Sequence, residues 1–157
     1  MKAFPIWLCI GILLVGISGV AQSAENTNAE ILLQKIKADK KLLVASNMDL
    51  TDEEGKKFWP LYSEYQKELE HINHSLGKAI QEYAEAYNKG PLSNDEATKL
   101  MDQALAVEEA EVKMKRTYAD KIGKVLPAAK TARYIQIENK IRAMLKAELA
   151  QDIPLVH

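Results

Sequence analysis

The sequence predicts an all-α protein: a long αα-hairpin flanked by two shorter helices, with the second helix bent near Pro60. Three observations carry this. Ser/Thr-x-x-Glu occurs three times, at Thr27–Glu30, Thr51–Glu54 and Ser93–Glu96, each time ahead of an apolar run. In such a capping box the hydroxyl accepts from the third helical N–H while the glutamate reaches back to the N-cap N–H. The apolar residues then recur at steps of three and four, the period of one helix face. No segment alternates apolar and polar in the manner of a half-buried strand.

The first helix is expected from Asn28 to Ala45, capped by Thr27 and Glu30, with Leu32, Leu33, Ile36, Leu43 and Val44 on its apolar side. Asn47-Met48-Asp49 turns the chain into the second box, Thr51 with Glu54. The second helix carries the clearest stripe, from Phe58 through Tyr62, Tyr65, Leu69, Ile72, Leu76, Ala79 and Tyr83 to Tyr87. Gly90 suits a left-handed C-cap, and Pro91 blocks continuation. The third helix, capped by Ser93 and Glu96, should run from Asn94 to Val125 on Ala97, Leu100, Ala104, Val107, Met114, Tyr118 and Val125. Glu111 interrupts that seam, and the expectation is that Ala110 and Ile122 shift the stripe sideways instead of burying a charge. Pro127 opens a fourth helix reaching Ala150, with Tyr134, Ile137, Ile141, Met144 and Leu149 inward, and the final residues form an extended tail.

Pro60 lies ten residues into the second helical region, where it removes an N–H and crowds the preceding turn. Either the chain breaks at Trp59 or the helix continues with a bend. The stripe keeps its spacing across the proline, which favours the bend and sets Trp59 at its elbow.

The N-terminus bears on compartment. Lys2 precedes an apolar run, Phe4 to Val20, and small residues follow. This is the pattern of a secretory signal peptide over residues 1–24, cut after Ala24 or Ser23, leaving residues 25–157 as one helical domain in the periplasm. A lone membrane anchor is the competing reading, and no basic cluster stands after the run to stop transfer. Cys9 lies within the apolar run, so the exported chain would hold no cysteine, and disulfides, thiolate metal sites and cysteine nucleophiles are excluded with it. With 21 Lys and Arg against 22 Asp and Glu the chain is near neutral and has no electrostatic footprint for nucleic acid.

No Ser/His/Asp arrangement, phosphate-binding glycine loop or metal-hydrolase motif is present, so neither an enzyme nor a cofactor is expected. Glu70, His71 and His74 stand on adjoining helical positions and offer ligands to a divalent metal such as nickel, cobalt, copper or zinc, or simply form a solvated face. Trp59, Leu61, Met48 and Met101 lie off the stripes and are candidates for binding a client or partner, or else pack between helices.

"LTDEEGKKF" at Leu50 and "LSNDEATKL" at Leu92 echo each other, both opening long helices. They resemble the paired LTxxQ motifs of the Spy/CpxP family of small periplasmic helical proteins, related to envelope metal-resistance sensors. Glu54 and Glu96 replace the motif glutamine and serve the capping box equally well. The resemblance implies a dimeric ATP-independent chaperone holding unfolded clients on apolar and mixed-charge helical surfaces, or a stress adaptor. The alternatives are a metal-binding or metal-sensing protein and a partner of an envelope sensor kinase or sigma-factor regulator. A homodimer without stable membrane insertion is expected in each case.

Overall fold

The computed structural model describes residues 25–156, with side chains from Lys37 onward. The expected signal peptide, and His157, lie outside the described residues. Four helices follow in order: α1 Glu25–Met48, α2 Asp52–Lys89, α3 Asn94–Gly123 and α4 Ala128–Asp152. The two long helices α2 and α3 pack along each other as a hairpin, and α4 packs against α3 and α1. No strand occurs among the described residues. The fold is all-α, as the periodicity requires.

Two of the three capping boxes form. Glu54 N donates to Thr51 Oγ1 at 3.3 Å and Thr51 N donates to Glu54 Oε2 at 2.8 Å. The same exchange joins Ser93 and Glu96 at 3.3 and 3.1 Å. The third does not start a helix, because α1 already contains Thr27 and Glu30. A box sets a helix start only where something upstream stops the helix. Asp49, at φ 47°, does so before Thr51, and Gly90, at φ 128°, before Ser93. Ala-Glu-Asn ahead of Thr27 offers no such stop. Gly90 has the positive φ expected of it, but its ψ of −162° is extended, in a region essentially reserved for glycine.

The helix is unbroken through Pro60, so the chain does not restart there. Pro60 is exposed, and the bond it forfeits belongs to the carbonyl of Lys56, itself an exposed residue on the water side. Ser63 Oγ adds a back-bond to Trp59 O at 3.1 Å.

The core runs between the helices and is aromatic at one end. Phe58, Tyr65 and Tyr134 are almost completely buried, with Phe58 and Tyr134 edge-to-face at 5.1 Å and Tyr65 and Tyr134 at 5.4 Å. Val44, Met48, Ile122 and Leu126 close around them. Met48 is fully buried, which corrects its place among client-binding candidates: the end of α1 turns it onto the core. The α4 stripe is also corrected. Met144 is 64% exposed, and the inward positions are Thr131, Tyr134, Glu138 and Arg142.

Candidate functional site

Opposite-sign charges form the inward side of α4 beyond Tyr134. Glu138 accepts from Lys40 Nζ on α1 and from Gln66 Nε2 on α2, each at 2.8 Å. Arg142 Nε donates to Glu111 Oε2 at 2.8 Å, and Arg142 Nη1 donates to Asn73 Oδ1 at 2.7 Å. Lys115 Nζ completes the cluster with a 2.6 Å bond to Glu111 Oε1. All four helices are thereby tied through side-chain hydrogen bonds. Glu111 is 3% exposed and Ala110 is exposed, which overturns the expected sideways shift of the α3 stripe at that position, while Ile122 is buried as expected. The charge enters the core because two donors, Lys115 Nζ and Arg142 Nε, meet it. Burial alone would raise the Glu111 pKa, yet hydrogen bonds from Lys115 and Arg142 outweigh it and hold the carboxyl below its ordinary value.

Around this cluster the phenols respond to the same burial. Desolvation, with Glu138 nearby, pushes the Tyr62 hydroxyl up to about 12. Tyr65 and Tyr134, deeper still, are pushed higher for the same reasons. Neither phenol is suited to proton transfer near neutrality.

Beyond Arg142, toward the α2–α3 turn, the helices part and leave a groove of about 600 Å³. Leu76 and Tyr83 of α2, Leu100 and Val107 of α3 and Leu149 of α4 line it. The stripe positions Ala79, Ala97 and Ala104 line it, with side chains too short to fill the space between the packed helices. The tail after α4 folds back along it, held by a 2.8 Å hydrogen bond from Tyr83 Oη to Pro154 O. Met101, 55% exposed, and Leu155, 90% exposed, stand among the lining residues.

The sequence candidates fall in different places. Met101 belongs to the groove. Trp59 is half-buried at the opposite end, edge-to-face with Phe58 at 5.1 Å and with Tyr62 at 5.4 Å, and Lys41 Nζ lies 5.2 Å from its ring centre. Leu61 packs against the core. His71 and His74 are exposed on α2, while Glu70 forms an ion pair with Lys37 at 3.3 Å. Among the described residues no three His, Cys, Asp or Glu side chains gather in a way that would hold an ion. Glu54, beyond its cap, accepts from Lys130 Nζ at 2.6 Å, so the motif glutamate also pins α4 to the start of α2.

Arg142, Glu138, Gln66 and Asn73 were not singled out from sequence. A signal existed: Thr131, Tyr134, Glu138 and Arg142 share the 3, 4, 4 spacing, and Glu111 is in phase with Val107, Met114 and Tyr118. Opposite charges in phase on two stripes are the signature of a buried pair. No helix among the described residues is long and apolar enough to cross a membrane. No protein-family model matches the chain, and no curated protein or solved structure matches it either.

Proposed function

We propose that the protein is a non-enzymatic binding protein of the cell envelope, a chaperone or stress adaptor that holds exposed apolar side chains of other proteins. One observation carries the reading: an apolar groove of about 600 Å³ with exposed Met101 and Leu155 beside it. Pockets that hold ligands are typically concave, mostly apolar and ~300–1,000 Å³. Methionine adapts its shape to differing partners, which suits a site serving many clients. Client side chains enter the groove while the client backbone stays in water at the rim. The resemblance of the Leu50 and Leu92 motifs to the Spy/CpxP pattern supports the same function, and the export pattern of residues 1–24 supports the compartment.

The reading extends to a homodimer through the outer face of α3. Leu105 and Val112 are about half exposed there, with Glu108 and Glu109 before Val112 and Lys113 and Arg116 after it. Antiparallel pairing about Val112 sets acidic residues of one copy against basic residues of the other, a self-complementary arrangement.

The test is light scattering from an unfolding client in the presence of purified protein. Suppression by wild type, with at least a threefold loss in Met101→Glu and Ala104→Glu variants and none in Lys67→Ala, is the expected result. Unaltered client aggregation across several clients removes the proposal.

A further inference from the structure

We propose that the groove between α2, α3 and the end of α4 also binds a single-chain amphiphile with a carboxylate head, the acyl chain on the apolar walls and the head at Arg142. This rests on the groove being the binding site, as argued above, and adds a ligand class to it.

The first ground is the distribution of polar groups. Among the described lining residues the charged side chains are Glu108, Glu111, Arg142 and Lys146, and they stand together where α3 meets α4. The remaining lining is apolar apart from the Tyr83 hydroxyl, which donates to Pro154 O. A ligand seated fully inside therefore needs polar atoms at one end only. An extended peptide carries a donor and an acceptor at nearly every residue. The walls on α2, α3 and α4 spend their own backbone groups internally, so a peptide seated against them would leave its backbone groups there unmatched. A protein client can lend side chains to the groove, but an acyl chain can lie along it.

The second ground is Arg142 itself, only 7% exposed. Its Nε and Nη2 both lie 2.8 Å from Glu111 Oε2, but only Nε is aligned to donate. Nη2 is buried with no hydrogen-bond acceptor. A second carboxylate oxygen would complete the guanidinium with a charge-assisted hydrogen bond, the stronger kind.

Charge selects the sign of the head. Glu108 and Glu111 are met by Arg142 and Lys146 in the lining and by Lys115 behind it. The cluster as a whole therefore carries one cation in excess, although the lining itself is balanced. Lys146 is half exposed and 3.3 Å from Glu108, free to swing toward an anion. An ammonium head would face the same excess as repulsion.

Calorimetric titration of the purified protein with dodecanoate and with dodecylamine, each below its micellar concentration, separates head from tail. Dodecanoate is expected to bind about tenfold or more tightly than the amine, a difference of about 1.4 kcal/mol. Ala104→Trp, which fills the groove from a helix-surface position, should abolish binding of both. Arg142→Lys keeps a cation for Glu111 but removes the guanidinium and Nη2 with it, and should cut the preference for the carboxylate to less than threefold. Equal affinity for the two heads, dodecanoate binding that survives Ala104→Trp, or no dodecanoate binding overturns the proposal. If client protection persists and is lost in Ala104→Trp while dodecanoate fails to bind, only the amphiphile is removed. If protection is absent as well, the groove itself is removed.

Discussion

Glu111 and Arg142 show how context prices a buried charge. Each would be costly alone, since removing one partner of a buried pair leaves an uncompensated ion at a cost of about 3–5 kcal/mol. Arg142→Met should therefore destabilise the protein by about 3 kcal/mol, at the low end because Lys115 still meets Glu111. The double variant Glu111→Leu/Arg142→Met should recover to within about 1 kcal/mol of wild type, because well-packed apolar residues replace such pairs at little cost. Urea midpoints at neutral pH measure both. The same pair sets an acid limit. Glu111 titrates below 4.5 when folded, so its contribution is complete above the ordinary carboxylate value and is lost as pH falls through the lower folded value. Stability of wild type should drop faster than that of the double variant as pH is taken below 4.5. A single variant as stable as wild type, or parallel pH curves, would contradict this account.

At the scale of the element, α2 is the helix on which sequence rules conflict and packing decides. Its start is fully local: Asp49 at positive φ, then a capping box with three acidic residues in the first turn. Pro60 then opposes the helix it stands in, at a cost of up to about 3 kcal/mol. Phe58, Tyr62 and Tyr65, all buried, lie on both sides of it and hold the helix together. Pro60→Ala should restore the bond to the Lys56 carbonyl and raise stability by as much as about 3 kcal/mol, read as a higher thermal midpoint. Under the proposed chaperone function, a proline that shapes the hairpin would make the same variant protect clients less well despite being more stable. A lower midpoint in Pro60→Ala would mean that the helix depends on the ring for packing. The elements themselves were legible because caps and 3–4 spacing are local signals. The α1 start was misplaced because a box without an upstream stop carries no boundary.

For the whole molecule, the outer face of α3 should decide assembly. Sedimentation of wild type should show a dimer, and Val112→Glu, which sets two carboxylates against each other at the symmetry axis, should shift it to monomer without loss of helix. A wild-type monomer at micromolar concentration would remove the dimer. The candidate site was less legible than the fold at this scale. Met101 was singled out from sequence, but its partners come from α2, α4 and the tail, separated along the chain and joined only by the hairpin. Met48 and Trp59 were also candidates from sequence, and one is wholly buried while the other is half-buried among aromatic rings.

Helix class, the turns at Asp49 and Gly90 and the aromatic stripe of α2 were determined by the sequence alone, because each depends on residues within a few positions of one another. Tertiary structure alone decided that Glu111 and Glu138 go inside and that the alanines at Ala79, Ala97 and Ala104 leave a groove. The physical reason is that a charge is affordable, or a small residue leaves a void, only in relation to what stands opposite. For Glu111 that is Arg142 across α4. For the three alanines it is no side chain long enough to meet them.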